Sequence, residues 1–173
     1  IGRPFAVLAV SGKNSGPLTD AYATNVDYPS ATFKSLTSVC GVNMPFAFYG
    51  LRSATMSSLE EIHGDCANAV AAFADMPSAT FDSLSVIDIK NPFTDADQSS
   101  TSFSNNPSHW NGFYYRMFDG DVFSSFPKLN HVGISSSTSV HLERMFNQTG
   151  LDHIPDYLHV ESSGDVFMDS LMH

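Results

Sequence analysis

The stretch Pro-Ser-Ala-Thr-Phe-Asp-Ser-Leu at residues 77–84 decides how the rest of the chain is interpreted, because the sequence contains three versions of it. The other two are Pro-Ser-Ala-Thr-Phe-Lys-Ser-Leu at residues 29–36 and Arg-Ser-Ala-Thr-Met-Ser-Ser-Leu at residues 52–59. Their final leucines lie 23 and 25 residues apart. Self-similarity with a period of about 20–50 residues is the signature of a stacked repeat array.

A short apolar pattern accompanies the leucine of each repeat and predicts a buried strand. An aliphatic residue stands three positions after the leucine, and the same frame returns twice beyond residue 116. The pairs are Leu36 with Val39, Leu59 with Ile62, Leu84 with Ile87, Leu129 with Val132 and Leu151 with Ile154. This is the strand unit with which a leucine-rich repeat fills its core. We therefore expect the leucines to form one buried column and their aliphatic partners to form the next.

Phenylalanine is common in this chain, with 14 residues against one tryptophan. Phe48, Phe73 and Phe118 each precede the leucine of a repeat by 11 residues, which supports the register independently of the Ser-Ala-Thr motif. Phenylalanines at regular intervals predict an aromatic spine along a solenoid. Between the strands, the alanine-rich residues 67–76 are predicted to form a short helix.

These patterns predict one repeat solenoid over residues 1–173. We expect a leucine-rich-repeat-like right-handed coil of short parallel β-strands with loop or short-helix returns, and another β-rich domain is the alternative. Residues 1–28 are expected to be irregular. Residues 165–173 begin a further repeat, which predicts an open last repeat covered by an oligomer contact or by further protein.

One interval between repeat leucines is much longer than the others. The spacing from Leu84 to Leu129 is 45 residues, close to two repeats. Residues 91–115 therefore hold either an insertion or a degenerate repeat. We favour the insertion, because the repeat frame is absent near residue 106, and long insertions in solenoids map to one face.

Composition limits the classes of partner. The chain has 18 acidic against 8 basic residues, a formal net charge of −10. Non-specific binding to nucleic acid is disfavoured, since phosphates are held by Lys and Arg, and anionic membranes are disfavoured for the same reason. The apolar fraction of 42% suffices for a core. The sequence contains no run of about 18 apolar residues, the length that would predict a membrane span.

The two cysteines, Cys40 and Cys66, lie 26 residues apart, close to one repeat. They could face each other on adjacent coils as a disulfide, or each could be a small buried apolar residue. We favour the second interpretation. Two cysteines do not make a disulfide-dense scaffold.

Polar residues flank the middle aliphatic residue of each strand and are expected on the face opposite the core. Among them, Glu61, His63 and Asp88 would come close together on neighbouring coils, and His131 would join them if residues 91–115 add no coil. Such a group predicts a ligand or metal site. The competing interpretation is an ordinary solvated strand face.

An aromatic cluster follows the polar segment, with Trp110, Tyr114 and Tyr115 at its centre. Exposed aromatic rings anchor interfaces, so these three residues are candidates for partner binding. The alternative is that they fill the core where the coil resumes.

No catalytic motif of known spacing is present. The chain has no Gly-x-Ser-x-Gly nucleophile elbow and no glycine-rich phosphate loop. Residues 63–66 lack a second ligand pair at zinc spacing. Residues 95–97 and 119–121 resemble fragments of calcium loops, but turn chemistry explains both without a metal.

The repeats resemble those of the BspA-like leucine-rich repeat proteins. The resemblance is carried by Ala-Thr-Phe-Lys-Ser-Leu-Thr-Ser-Val at residues 31–39, Val-Phe-Ser-Ser-Phe-Pro-Lys-Leu at 122–129, and Met-Phe at 145–146 with Leu-Asp-His-Ile-Pro at 151–155. It covers roughly residues 29–90 and 116–173. This class occurs in surface proteins of bacteria and protists and in some phage tail and fibre proteins. The resemblance implies adhesion, recognition or scaffolding and brings no catalytic residues.

The sequence thus predicts a non-catalytic recognition, adhesion or structural module on a cell or virion exterior, with no cofactor and no metal. The expected partner is a protein, a glycan or further copies of the chain, with no nucleic acid. The alternative function is a metal-dependent enzyme built from Glu61, His63 and Asp88.

Overall fold

The structure, a computed structural model, describes residues 38–39, 44, 47–51, 56–76, 79–94, 112–121 and 124–172. Within these ranges the regular elements are seven short strands: β1 (Ser38–Val39), β2 (Glu61–Asp65), β3 (Val86–Lys90), β4 (His131–Ser136), β5 (Val140–His141), β6 (Leu158–Ser162) and β7 (Val166–Phe167). The same ranges contain no helix long and apolar enough to cross a membrane.

The strands stack in parallel in the order of the chain. One sheet has the order β1-β2-β3-β4-β6, and β5 pairs with β7 in a second small sheet. Since sequential parallel strands need a crossover connection, each strand of the five-stranded sheet belongs to a successive turn of a coil, and β5 and β7 lie on the same turns as β4 and β6. The chain is therefore a β-solenoid, and the predicted repeat coil of short parallel strands is confirmed.

The aliphatic residues of the repeat frame lie side by side in this sheet. Val39 pairs with Ile62, Ile62 with Ile87, and Ile87 with Val132. All four are buried, as are Leu59, Leu84 and Leu129. The amide of each of these leucines donates to the carbonyl three residues earlier, at 3.0–3.3 Å, so a tight turn starts each strand. The two predicted columns are confirmed for these residues, while Leu36 lies outside the described ranges.

The last coil departs from the predicted frame. Leu151 is only partly buried, and Ile154 is 50% exposed. The ladder partner of Val132 is instead Leu158. The prediction for Ile154 is wrong because it placed the strand across Pro155, which has no N–H to donate to a ladder. Residues 158–162 alternate apolar and polar side chains, and they supply the strand.

The predicted helix at residues 67–76 is also wrong. The amides of Ala69, Ala71, Phe73 and Asp75 donate to carbonyls of the next coil at 2.8–2.9 Å. Alternate residues therefore bond outward to a neighbouring coil, which an α-helix cannot do. The helix propensity of the alanines does not decide the conformation here, because the backbone amides of the return segment form hydrogen bonds with the coil stacked on it.

The return segments bend at recurring positions with positive φ. Ladder pairing places Ala71, Arg116, Arg144 and Ser170 at one such position, with φ between 48° and 58°. Asp75 and Gly120 share a second position, and a Cβ on Gly120 would come within 2.7 Å of the Asp75 carboxylate. Glycine is favoured at residue 120, because it has no Cβ and adopts the φ of +86° without strain.

Phenylalanines form two ladders in the core. Phe48, Phe73, Phe118 and Phe146 stack with ring centroids 5.0–5.5 Å apart and planes within 13°. Phe81 stacks on Phe126 at 5.4 Å, and its edge meets the first ladder. The predicted aromatic spine is present, and it explains the constant offset between these phenylalanines and the repeat leucines.

Strand β3 pairs directly with β4, so no strand of residues 91–115 separates them in the sheet. Phe113 then bridges to Asn68 on one side and to His141 on the other, which puts it in the return segment of the coil that β3 begins. Because residues 95–111 lie outside the described ranges, the choice of an insertion stays a prediction. The boundary at residue 28 lies outside them as well.

Cys66 is buried, and its Sγ lies 3.3 Å from the carbonyl oxygen of Asn68. Cys40 lies outside the described ranges. The relation between the two cysteines therefore stays a prediction.

Substituting Leu84 with alanine should lower the free energy of unfolding by about 2–5 kcal/mol, because it leaves a cavity in a fully buried column. Leu84 is 0% exposed and lies in the turn that precedes β3, the middle strand of the sheet. Urea unfolding of the variant and the parent protein measures the difference. A loss below about 0.5 kcal/mol would contradict a core role.

Candidate functional site

The solvent-facing side of the five-stranded sheet carries three rows of side chains. Alternate residues of a strand point to the same face, and the register aligns these residues across the coils. We call this surface the outer face, and its rows are Glu61, Val86 and His131; His63, Asp88, Gly133 and His159; and Asp65, Lys90, Ser135 and Glu161.

The predicted site residues lie on this face. His63 is the direct ladder partner of Asp88, and Glu61 is the partner of Val86 in the adjacent row. His131 joins them because β3 and β4 are neighbours, with its Nε2 3.7 Å from Asp88 Oδ1. Their side chains are 42% and 65% exposed, so this pair is a solvated surface contact that contributes little to stability.

Gly133 makes room for this pair. A Cβ at Gly133 would come within 2.7 Å of His131 Nε2 and 2.8 Å of Asp88 Oδ1. Any larger residue would therefore push the imidazole and the carboxylate apart.

A metal centre finds no support in this arrangement. Among the residues that the structure describes, no group of three His, Cys, Asp or Glu is placed to hold a metal ion. Glu61 and His63 lie two residues apart on β2, Asp88 lies on β3, and their side chains project outward from the sheet, whereas a metal site needs side chains that converge on one point.

The third row ends at an open cleft. The cleft has a volume of about 400 Å³ and lies at the carboxyl ends of β3, β4 and β6; its lining is Lys90, Asn91, Pro92, Ser135, Ser136, Ser137, Glu161, Ser162 and Ser163. The sequence prediction stopped at the residues that flank the middle aliphatic position. Continuing the alternation by one step would have found Lys90 and Ser135, each six residues after a repeat leucine.

The floor of the cleft is a closed hydrogen-bond network. Asn91 Nδ2 donates to Ser136 Oγ and to Thr138 Oγ1, both at 3.1 Å. Ser162 Oγ donates to the Thr138 carbonyl at 2.7 Å. These bonds tie the corners of three successive coils together and hold the cleft in one shape.

The three aromatic residues that the sequence analysis proposed for partner binding have different positions in the structure. Tyr114 is 0% exposed, and its hydroxyl donates to the Cys66 carbonyl at 2.7 Å. Burial raises the pKa of its phenol far above the usual value. Tyr114 therefore fills the core and is closed to a partner in this structure. Tyr115 is partly buried beside Val70 and Ala74, and Trp110 lies outside the described ranges.

The acidic turn at residues 119–121 is structural. Asp119 is buried and pairs with Arg116 Nε at 2.5 Å and Arg144 Nη2 at 3.1 Å. Asp121 accepts the Met76 amide at 2.9 Å through Oδ1, and its buried Oδ2 has no hydrogen-bond partner among the residues that the structure describes. Both aspartates therefore take part in turn and core contacts, as the sequence analysis favoured, through both arginines for Asp119 and through one backbone amide for Asp121. The similar fragment at residues 95–97 lies outside the described ranges.

The ionisation of Asp121 follows from this burial. Burial raises the pKa of Asp121 to about 9; the Met76 amide lowers it, and the charges of Asp75 and Asp119 raise it further. The carboxyl group is therefore protonated at neutral pH.

Comparison of the chain with protein-family models, with curated proteins and with solved structures gives no match. The resemblance to BspA-like leucine-rich repeats therefore stays a prediction from the sequence.

Proposed function

We propose that this protein is a non-catalytic recognition module that binds a macromolecular partner with its outer face. The observation that carries the proposal is the register of the outer face. Four strands from successive coils contribute exposed polar side chains in aligned rows. Repeat arrays gain function in this way, since each coil adds a strip to one extended contact surface.

The core under the outer face supports this role. Ile62, Ile87 and Val132 lie directly beneath it and are at most 1% exposed. Successive strands are spaced by about 4.8 Å, so the rows are positioned before any partner arrives. A preformed surface pays little ordering entropy on binding.

The charges of the outer face favour a neutral or basic partner. Four carboxylates, those of Glu61, Asp65, Asp88 and Glu161, stand against the single ammonium group of Lys90 in the three rows. Complementary charge raises the association rate, and salt screens it. An exterior location on a cell or virion is part of this proposal, with the BspA-like resemblance as its motive.

The test is a screen against immobilised proteins and glycans, followed by a charge reversal. Asp88→Arg should lower the affinity for the partner at least about tenfold, since one lost contact of this kind contributes on the order of 1.4 kcal/mol. Asp169→Arg is the matched control, because Asp169 is exposed but lies in the last return segment. Surface plasmon resonance measures both.

Equal loss in the two variants would mean that overall charge, and not the outer face, governs binding. Turnover of a substrate that His63→Ala abolishes would replace the recognition role by the enzyme alternative.

A further inference from the structure

We infer that the cleft at the carboxyl ends of β3, β4 and β6 binds a neutral sugar unit. This inference rests on the proposed recognition function and names the ligand class for one end of the outer face. The cleft shares Lys90, Ser135 and Glu161 with the third row of that face. A longer glycan held in the cleft can therefore extend along the outer face.

The polar groups of the cleft divide into two sets. The side chains of the floor residues Asn91, Ser136 and Ser162 are already engaged in hydrogen bonds. Asn91 bonds to Ser136, and all three bond to Thr138. The rim differs, because the side chains of Lys90, Ser135, Glu161 and Ser163 make no hydrogen bond or ion pair with the residues that the structure describes. The rim therefore has hydrogen-bonding capacity available for a ligand.

The rim groups specify the chemistry of that ligand. An ammonium only donates, a carboxylate only accepts, and a serine hydroxyl does both. A ligand that forms hydrogen bonds with the ammonium, the carboxylate and the hydroxyls of the rim must carry closely spaced groups that both donate and accept hydrogen bonds. Sugar hydroxyls have this property.

Charge and lining exclude other ligand classes. An anion such as phosphate would meet Glu161 on a chain of net charge −10, and a cation would meet Lys90. Apolar ligands gain their binding energy from apolar contact area, and among the described residues that line the cleft Pro92 alone has an apolar side chain. The volume of about 400 Å³ lies within the usual range for small-ligand sites. A neutral saccharide satisfies each of these conditions.

The direct test is a titration of the intact chain with neutral mono- and disaccharides of glucose, galactose, mannose and N-acetylglucosamine, followed by NMR and calorimetry. Sialylated and sulfated sugars and free alanine are the comparison ligands. We expect saturable binding of at least one neutral sugar, with amide shifts at residues 90–91, 135–137 and 161–163. Saturation only by charged sugars or by the amino acid would overturn the inference.

Substitutions at the rim locate the site. Lys90→Ala and Glu161→Ala should each weaken sugar binding by about ten- to a hundredfold, as expected for hydrogen bonds to charged groups. Lys128→Ala is the matched control, because Lys128 is an exposed lysine in the turn before β4. Lys90 and Glu161 are exposed, so the melting temperature should not change. Unchanged sugar affinity in both rim variants would refute the cleft as the site.

The outcomes separate this inference from the proposed function. A partner whose binding is lost in Asp88→Arg but kept in both rim variants leaves the outer face as the binding surface and refutes the sugar cleft. Sugar binding that the rim variants abolish supports both. A chain that binds neither proteins nor sugars fails both tests.

Discussion

Replacing Phe118 with alanine is expected to lower the free energy of unfolding by about 3–5 kcal/mol. The ring is fully buried and stacks on Phe73 at 5.4 Å and on Phe146 at 5.5 Å. Its edge also meets Phe81 and Phe126 at 5.2 and 5.1 Å. The substitution therefore removes the point at which the two phenylalanine ladders meet and leaves a cavity between coils. Urea unfolding followed by circular dichroism gives the value.

Phe167→Ala provides the matched control. Phe167 also belongs to a ring stack, 4.5 Å from His141, but it is 38% exposed on the last coil. Its loss should cost no more than about 1 kcal/mol, because little buried area disappears. If both variants lost the same stability, the ladders would not be the core of the solenoid.

The stability of the protein is expected to fall as the pH rises from about 4 to about 9, by up to about 1.4 kcal/mol per pH unit from Asp121 alone. The pKa of Asp121 is raised from 3.8 to about 9 in the folded chain. Between these values the unfolded chain has released a proton that the folded chain keeps. The contribution is therefore complete below pH 3.8 and is lost progressively until the pH passes the folded pKa.

Asp121→Asn should raise stability at pH 7 and flatten this dependence. The amide has the shape of the protonated acid, and its oxygen can still accept the Met76 N–H. Unfolding by urea at several pH values between 4 and 9 tests the slope. A variant that keeps the full slope would show that Asp121 is ionised in the folded chain.

Asp119→Asn is the informative comparison, because its effect should have the opposite sign. Asp119 faces two arginines, Arg116 and Arg144, and accepts a 2.7 Å hydrogen bond from Asn147. The substitution takes charge-assisted hydrogen bonds from two arginines whose side chains are 27% and 40% exposed, so it should cost about 1–3 kcal/mol. Two buried aspartates in one turn therefore respond oppositely to the same substitution.

The strands and their register could be predicted because the repeat frame marks them directly. In a stacked sheet equivalent residues become neighbours, so equal spacing in the sequence becomes a column in space. The fit of Ile62, Ile87 and Val132 to one column follows from this rule. The repeat frame gave a wrong prediction at Ile154. Leu151 and Ile154 match the frame in sequence, but the following Pro155 has no amide to donate to a ladder. The helix predicted at residues 67–76 was wrong for a different reason: it rested on the helix propensity of alanine, whereas the amides of this segment bond to the neighbouring coil.

The candidate site was predictable only in part. Alternation along each strand was enough to place His63 beside Asp88. Whether His131 joins them depended on the number of coils between β3 and β4, which the 45-residue spacing left open. The same local pattern could not separate Tyr114, whose hydroxyl reaches the Cys66 carbonyl in the core, from an exposed aromatic residue.

The amino-acid sequence by itself determined that this protein is a repeat coil. It also determined which residues of the strands face the core and which alternate residues face solvent. These properties depend on local period and on the hydrophobic effect. Only the tertiary structure decided that β3 lies against β4, that Lys90, Ser135 and Glu161 meet at one cleft, and that Asp121 is buried with its carboxyl group against the Met76 amide. Those features join residues 26 or more positions apart, and their positions follow from how the coils stack.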